Sequence, residues 1–223
     1  MVIGRVRALS LRAQRGAPPM RVERAVAVAG AGFEGDIHAD AVSPRQLLLA
    51  SASVYDTFDL PAHALRENLL VDVDTASLAS GTVLQLGRQV RIRLMFQCEA
   101  CGQLELQRRG LAAALGNQRG MLARVIANGT VAAGDTIMQL DERLPPWSDD
   151  WRERVMAVLD AVPPGQVIDY ARLARVAGIQ SSYCRAFPRV LARLGADHAA
   201  KAVPARTTAT LPRWDGSGLF DRM

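Results

Sequence analysis

Two cysteines three positions apart are the residues whose type and spacing best suit chemistry. Cys98 and Cys101 follow a strand-like apolar run and precede Gly102, so we expect both thiols on a loop at the end of a strand. A thiolate is both a nucleophile and a soft metal ligand. The pair therefore predicts a site that carries sulfur as a persulfide or binds molybdenum or a similar metal centre.

Other uses of these thiols can be compared with that prediction. A structural zinc site needs four ligands, but the sequence has no second closely spaced cysteine pair, and the remaining candidates are scattered: His38, His63, Cys184 and His198. A thioredoxin-like redox pair is disfavoured because no strand-helix-strand pattern surrounds it. Two buried, inert cysteines are the main competing interpretation, since free cysteine is often a core residue.

A glycine-spaced loop, residues 32–38, brings an acid close to an imidazole. Asp36 and His38 are two positions apart, and a near-neutral imidazole can orient ligands or move protons. The alternative is a simple turn, made by the glycines and capped by Asp36.

Three arginines stand beside predicted loops or element ends. Arg45 precedes a glutamine, Arg66 precedes Glu67 and Asn68, and Arg119 precedes a glycine. Guanidinium groups bind phosphate or carboxylate through paired hydrogen bonds, and an asparagine adds a directional amide. The three arginines and Asn68 therefore predict an anion-binding or cofactor-binding surface, although each arginine taken alone is more often a solvated surface residue.

The elements that position these residues are mostly short strands separated by glycines. Alternating or short apolar runs predict strands at 2–11, 22–28, 68–73, 82–86, 89–96 and 136–140. An apolar run at 45–52 precedes a predicted helix at 52–58, and helical spacing predicts another helix over 111–128, stopped by Gly129. This pattern favours a closed or sandwich-like β architecture with peripheral helices.

A different pattern begins after residues 141–150, where two prolines break the periodicity. The predicted domains are therefore 1–143 and 151–223, joined by a linker at 144–150. Residues 148–150 can start a helix with an apolar face that reaches residue 162.

Two further helices are predicted in the second domain. Asp169 can cap a short helix through Ala177, and Ser181 or Ser182 can cap another that runs to Leu194. Pro188 is compatible with that last helix only in its first turn. A short helix, a glycine turn and a second helix form the layout of a helix-turn-helix, so we predict a small helical domain of the winged-helix or helix-turn-helix type.

Composition restricts the class of protein. Hydrophobic residues make up 49% and charged residues 22% of the 223 residues, as in ordinary globular proteins. No stretch is apolar enough for a membrane span, and three cysteines without a secretory signal predict free thiols in the cytoplasm. Residues 166–223 carry nine basic and four acidic side chains, which accounts for the whole formal charge of +5.

Six blocks follow one another along the first part of the chain: GFEGDIHA, SPRQLLLAS, LRENLLV, LASGTVLQLG, QCEACGQLE and QRGMLARVIANGTVAAGDTI. Together, and in this order, they resemble the molybdenum-cofactor sulfurase C-terminal (MOSC) family over about residues 2–140. The resemblance implies a MOSC-type β-barrel and a sulfur-holding or molybdenum-ligating cysteine. That cysteine is Cys101, with Cys98 as an accessory thiol. It also implies molybdenum cofactor (molybdopterin), molybdenum ion or pyridoxal phosphate binding.

Two positions depart from that family pattern. Ala100 stands where a proline commonly precedes the second cysteine, and this loosens the loop without removing the thiol. Ile37 stands where an arginine usually follows the glycine-aspartate pair, so one anion contact of the family is missing at that position.

The second predicted domain contains the motifs WRERV, VPPGQV, DYARLA and CRAF, beginning at Trp151, Val162, Asp169 and Cys184. Through these motifs, residues 151–223 resemble the DNA-binding helix-turn-helix domain of methylguanine-DNA alkyltransferases and alkyltransferase-like proteins. The resemblance implies that Tyr170 and Arg185 contact DNA. The Pro-Cys-His-Arg block of the family is Pro204-Ala205-Arg206-Thr207 here, so we expect no alkyl transfer, because Ala205 has no thiol to act as nucleophile.

Three functions therefore remain open. The first is a sulfur carrier or oxidoreductase-type protein in which Cys101 works with Asp36 and His38, and Arg45, Arg66, Asn68 and Arg119 hold an anionic small molecule or pterin. A sulfur donor such as a cysteine desulfurase would then be a partner. The second is a DNA-binding protein that acts through residues 151–223. The third is a module that binds an anionic molecule without chemistry.

Overall fold

The computed structural model describes residues 1–207 and 210–221, which divide into two compact units. The first unit comprises residues 1–40 and 45–147, and the second comprises residues 41–44 together with the chain from residue 148 onward. Residues 208, 209, 222 and 223 of the predicted second domain lie outside the described residues. Within the described residues, no helix is both long enough and apolar enough to cross a membrane.

The first unit contains eleven strands. In chain order they are β1 (Val2–Leu11), β2 (Met20–Val22), β3 (Arg24–Val28), β4 (Gly32–Phe33), β5 (Leu47–Ser51), β6 (Leu69–Val71), β7 (Thr82–Leu86), β8 (Val90–Gln97), β9 (Met121–Ala127), β10 (Gly129–Ala132) and β11 (Thr136–Arg143).

Seven of these strands close into a barrel. Their hydrogen-bonded order is β11, β7, β8, β9, β5, β6 and β1, and β1 pairs again with β11. The pair formed by β5 and β6 is parallel, while the other pairs in the ring are antiparallel. β2 extends β1 outside the ring, and β10, β3 and β4 form a separate three-stranded sheet. Closure leaves no unpaired edge within the ring.

Apolar side chains from the barrel strands form one buried core. Its members include Val6, Leu9, Leu49, Leu69, Leu84, Ile92, Leu94, Val125 and Ile137. This core explains why the strand predictions succeeded: the buried faces are carried by β-branched and leucine side chains at strand spacing. The predicted first strand, β7 and the helix after β5 match the structure at both ends.

Three short helices and a second apolar cluster support the outer side of β5. The helices are α1 (Ala52–Phe58), α2 (Gly102–Gln107) and α3 (Leu111–Leu115), and 3₁₀ turns cover Thr75–Ser77 and Gly116–Arg119. The cluster comprises Ala50, Val54, Leu65, Leu104, Leu111 and Leu115. It holds α2 in place, and α2 directly follows the cysteine loop.

The helix predicted over 111–128 is wrong beyond its first turns. Helix α3 ends at Leu115, and the chain then passes through Gly116 and Gly120, whose φ angles are +52° and +129°. After Gly120 it becomes β9, which lies between β8 and β5. A run of buried residues can serve either a helix or a central strand, and here strand pairing prevails. The strand predicted at 22–28 is likewise interrupted, because β2 ends at Val22 and β3 begins at Arg24.

The second unit is mainly helical. It contains α4 (Trp151–Ala161), α5 (Tyr170–Val176), α6 (Phe187–Leu194) and α7 (Ala196–Ala200), with the two-residue strands β12 (Ile168–Asp169) and β13 (Ala202–Val203). The predicted caps are present: the Asp150 carboxylate accepts from the Arg152 N–H, and Asp169 accepts from the Arg172 N–H.

The last predicted helix of this unit begins later than expected. Residues Ser181–Arg185 form a 3₁₀ turn, and α6 starts only at Phe187, with Pro188 in its first turn. The winged-helix prediction is not confirmed either. A wing is an antiparallel hairpin, whereas the pair formed by β12 and β13 is parallel.

Candidate functional site

The cysteine loop connects the end of β8 to the start of α2. The Cys98 N–H donates to the Gly120 carbonyl at 2.7 Å, which ties the loop to the start of β9. Cys101 has an extended backbone and is the residue immediately before α2. The predicted position of both thiols at the end of a strand is therefore what the structure shows.

Each thiol is contacted by its own arginine. Cys98 is buried, and Nη2 of Arg45 lies 3.6 Å from its Sγ. Cys101 is partly exposed, and Nη1 of Arg119 lies 3.2 Å from its Sγ. A guanidinium so close to sulfur can stabilise negative charge there. Because Cys98 is 1% exposed, Cys101 is the thiol that a second molecule can reach.

Arg119 is 8% exposed and has donor capacity to spare. Its Nη1 also donates to the Glu99 carbonyl at 2.5 Å, but its buried Nε has no partner within the described part of the chain. Oγ1 of Thr75 is also buried without a partner among the described residues. The 3₁₀ turn Thr75–Ser77 packs against the 3₁₀ turn Gly116–Arg119. Buried polar atoms without partners are unusual in proteins, and beside a thiol they mark donors available to a bound group.

Asp36 lies at the centre of a second cluster. Its buried carboxylate accepts from the Arg12 N–H at 2.9 Å, from the N–H and Nδ1 of His38 at 2.8 and 3.0 Å, and from Nδ2 of Asn68 at 3.0 Å. Burial alone raises the pKa of Asp36, but the hydrogen bonds from His38 and Arg12 outweigh burial and leave that pKa lowered. Asp36 is therefore an anchoring carboxylate.

His38 stands between Asp36 and Arg12. Its Nδ1 lies 3.0 Å from the Asp36 carboxylate, and its Nε2 lies 2.8 Å from Nη2 of Arg12. Arginine can only donate, so Nε2 accepts and Nδ1 carries the proton in this arrangement. The imidazole is 42% exposed at the side chain, which leaves it accessible to a ligand.

Asn68 has a positioning role. It is 5% exposed. Its Oδ1 accepts from the Leu48 N–H at 3.1 Å, and its Nδ2 donates to the Ser10 carbonyl at 3.3 Å as well as to Asp36. Both amide hydrogens are therefore used inside the protein. Asn68 fixes Asp36 and the end of β1 and has no hydrogen left to donate to a ligand.

Arg66 connects the two clusters. It lines a crevice together with Arg12, Asp36, His38 and Asn68. Its Nη1 also donates to Oε1 of Gln103 at 2.6 Å, two residues beyond Cys101. The predicted site residues therefore fall into two groups. One group surrounds the crevice and comprises Asp36, His38, Arg66 and Asn68; the other lies at the cysteine loop and comprises Cys98, Cys101, Arg45 and Arg119. The hydrogen bond from Arg66 to Gln103 connects the two groups.

Sequence reasoning missed Arg12, Tyr55 and Glu67. Arg12 follows β1 and reaches His38 only through the folded chain, so no local motif marks it. Tyr55 donates to the buried Oε2 of Glu67 at 2.5 Å, and burial raises the pKa values of both groups. The position of Glu67, beside Arg66 and in an apolar run, could have indicated its role from the sequence, because a carboxylate buried in such a run needs a polar partner.

Metal ligands are sparse in the structure. Within the described residues, no group of three or more histidine, cysteine, aspartate or glutamate side chains is placed to hold a metal ion. His38 is committed to Asp36 and Arg12, and His63 lies beside Ser10. A metal at Cys101 would therefore have a single protein thiolate and would take its remaining ligands from a cofactor.

The predicted DNA-contacting residues lie on neighbouring elements of the second unit. The Tyr170 ring packs edge-on against Phe187 with centroids 5.5 Å apart. The Cys184 thiol donates to the Tyr170 carbonyl at 3.4 Å, and this contact brings the exposed Arg185 close to the start of α5. Burial raises the pKa of Cys184, which keeps that thiol protonated and poorly nucleophilic.

A family model for the MOSC domain matches residues 38–138. No curated protein matches the chain.

Among solved structures, the YUAD protein from Bacillus subtilis is 18% identical with a TM-score of 0.52, covering 60% of this chain and 93% of its own. A hypothetical protein is 21% identical with a TM-score of 0.55, and the match covers 86% of this chain and 91% of that protein. YiiM from Geobacillus stearothermophilus is 14% identical with a TM-score of 0.50, and the match covers 85% of this chain and 97% of YiiM. These structures share the fold. The seven-stranded barrel and the family match agree, and the first unit of this chain contains a MOSC domain.

Proposed function

We propose that this protein handles sulfur or a molybdenum-type cofactor through Cys101. One observation carries the proposal: the partly exposed Cys101 thiol lies 3.2 Å from a buried guanidinium whose Nε has no partner in the described chain. A sulfur atom that gains negative charge here has a fixed cation beside it. Cys98 is sealed from solvent and serves as the accessory thiol.

As a sulfur carrier, Cys101 would accept sulfur from a persulfide donor such as a cysteine desulfurase. The Cys101 thiolate attacks the outer sulfur of the donor persulfide, a new sulfur-sulfur bond forms at Cys101, and the sulfur-sulfur bond of the donor breaks. The donor leaves as a thiolate and takes up a proton. Arg119 stabilises the negative charge on the Cys101 sulfur before the attack and on the outer sulfur afterwards.

The molybdenum cofactor is the alternative use of the same thiol. Cys101 would supply the protein thiolate, while Arg66 and Arg119 would face the anionic part of the pterin. The single accessible thiolate and the unpartnered Nε of Arg119 suit such a group. When bound, the cofactor would supply a metal centre for redox chemistry. Asp36 and His38 orient the ligand or hold a proton at Nδ1 of His38.

Mass spectrometry and metal analysis of the purified full-length protein test this function. After incubation with a cysteine desulfurase and cysteine, we expect one added sulfur on the peptide that contains Cys101, or molybdenum bound at a stoichiometric level. Cys101→Ser should abolish either product, whereas Cys184→Ser in the second unit should leave it unchanged. A product that persists in Cys101→Ser overturns the proposal.

DNA binding through residues 151–223 is the second candidate. The stretch 170–196 contains five arginines and no acidic residue. Arg185, Arg189 and Arg193 are all exposed at four-residue spacing. Such a row supplies phosphate contacts that do not depend on base sequence.

Salt-dependent binding of DNA distinguishes a DNA-binding surface on residues 151–223 from arginines that are merely solvated. We expect the full chain to bind duplex DNA with an affinity that falls steeply as salt rises, and Arg185→Ala to reduce both the affinity and the slope. Arg109→Ala, an exposed arginine of the first unit, is the control with the same change of charge. Equal losses of DNA affinity in both variants would show that only the net charge of the chain matters, and would exclude a specific DNA-binding surface at Arg185.

A further inference from the structure

The second unit contains a recess of about 360 Å³ between the C-terminal half of α4 and the chain segment 214–219. This volume lies in the range of small-molecule sites, which is roughly 300–1,000 Å³. The wall is mostly apolar and includes Ala157, Ala161, Pro163, Trp214 and Leu219, and Asp160 is the one charged residue among the described residues that line it. We propose that this recess binds a small aromatic amine.

Two alanines create the space on the α4 side. Ala157 and Ala161 are four positions apart and Asp160 precedes Ala161, so the three residues lie on one face of the helix. The side chains that α4 packs into the interior of the unit are larger, as with Val158 and Leu159. The recess therefore exists because Ala157 and Ala161 end at Cβ, and a larger residue at either position would fill it.

Trp214 and Leu219 form the opposite wall, and they are 8% and 4% exposed. Nε1 of Trp214 donates to the Ser217 carbonyl at 3.1 Å, and its backbone N–H donates to the Val167 carbonyl at 2.8 Å. These bonds fix the indole without help from a ligand, so the wall is already formed. Because its N–H is used, the indole offers carbon surface, against which another aromatic ring can stack.

Asp160 determines the charge of the molecule that fits. Residues 166–223 carry nine basic and four acidic side chains, yet the described residues that line the recess include a carboxylate and no basic side chain. An anion would meet no cation here. A protonated amine, in contrast, meets a carboxylate at the edge of an apolar recess and can form a charge-assisted hydrogen bond with it.

His198 occupies only one oxygen of Asp160. Its Nε2 lies 2.8 Å from Oδ1 of Asp160, and its Nδ1 lies 3.1 Å from the Leu194 carbonyl. Both partners are acceptors, so both ring nitrogens carry a proton and the imidazole is cationic in this arrangement. Oδ2 of Asp160 has no partner among the described residues and is the atom that accepts from the amine. His198 and the amine therefore compete for one negative charge.

This inference goes beyond the proposed function and does not rest on it. Cys101, Tyr170 and Arg185 are not among the residues that line the recess. Cys101→Ser and Arg185→Ala should therefore bind the amine as the parent chain does. Failure of the sulfur chemistry or of DNA binding would leave the recess unaffected, and the reverse also holds.

Calorimetric titration of the full chain with three probes tests the recess. Phenethylamine, 2-phenylethanol and phenylacetate share an aromatic ring and differ in charge. We expect phenethylamine to bind with a Kd of about 1 mM or below. We expect 2-phenylethanol to bind about fivefold more weakly, because it forms no ion pair with Asp160, and phenylacetate to bind more weakly still.

Three variants assign the binding to the recess. Asp160→Asn should weaken phenethylamine binding about fivefold and leave 2-phenylethanol binding unchanged, whereas Asp197→Asn, an exposed acid of the same unit, should alter neither. His198→Gln should strengthen phenethylamine binding, because it removes the competing cation. Ala161→Leu should abolish binding of both probes, whereas Ala192→Leu, an exposed position on α6, should not.

The result that overturns the proposal is equally specific. Phenethylamine that fails to bind at about 10 mM, equal affinity for the three probes, or equal losses in Asp160→Asn and Asp197→Asn would each do so. If Ala161→Leu fails to fold, Ala157→Leu fills the same recess from one turn earlier. Binding that persists in a folded Ala161→Leu or Ala157→Leu would place the amine elsewhere and overturn the assignment.

Discussion

Arg119 and Cys101 form a contact between a buried cation and an accessible thiol, with 3.2 Å between Nη1 and Sγ. The guanidinium cannot move far, because the same Nη1 donates to the Glu99 carbonyl and the side chain is 8% exposed. The sulfur, in contrast, lies at the surface end of the pair. This arrangement fixes a positive charge where an outside molecule would meet the thiol.

Replacing Arg119 should make Cys101 less reactive. In Arg119→Met we expect alkylation of Cys101 by iodoacetamide at pH 7 to slow about tenfold, because the thiolate loses its neighbouring cation. Peptide mass spectrometry locates the label, and Cys98 should stay unlabelled in the folded protein. Arg108→Met, an exposed arginine on the same segment, is the control and should react at the parent rate.

Tyr55 should stabilise the protein through its bond to Glu67. Tyr55→Phe removes the hydroxyl that donates to Oε2 of Glu67, a carboxylate that is 4% exposed, so we expect a loss of about 1–3 kcal/mol in the free energy of unfolding. Urea denaturation measures this loss. Thr57→Val, which removes an exposed hydroxyl from the same helix, should cost clearly less.

The Glu67 carboxylate also predicts the direction of a pH effect. Burial, the largest cause, raises its pKa in the folded protein above the ordinary value of 4.5. The folded state therefore holds this proton more tightly than the unfolded state, and the contribution of Glu67 to stability falls as pH rises from 4.5 through the raised pKa. Glu67→Gln should remove this dependence, and an unchanged pH profile in that variant would contradict the assignment.

The sequence predicted the barrel better than the site, and particular residues show why. Val2–Leu11 and Thr82–Leu86 match the structure because strand alternation is local. Residues 121–127 were misread as helix because only pairing with β5 and β8 makes them a strand. Cys101 and Asp36 stand out by local motif. Arg12 does not, since its contact with His38 spans 26 positions.

Asp36 should stabilise the crevice at neutral pH. Its folded pKa is lowered, so its stabilising contribution is present above the ordinary value of 3.8 and is lost as pH falls through the lowered pKa. Asp36→Asn cannot accept all four donors, and we expect it to cost on the order of 3 kcal/mol at pH 7. Thermal or urea unfolding at pH 7 and pH 3 measures this. A cost that is as large at pH 3 as at pH 7 would show that packing, and not the charge, is what matters.

Gly120 should be essential for the geometry of the cysteine loop. A Cβ at this position would lie 2.2 Å from the Leu49 carbonyl oxygen, and the φ angle of +129° disfavours any other residue. Gly120→Ala should therefore lower the free energy of unfolding by more than about 2 kcal/mol and also loosen the bond between the Cys98 N–H and the Gly120 carbonyl. We expect Cys98 to become accessible to iodoacetamide in this variant. Gly102→Ala, where a Cβ meets nothing within 4 Å, is the matched control and should leave Cys98 protected. Protection of Cys98 in both variants would mean that Gly120 does not hold the loop.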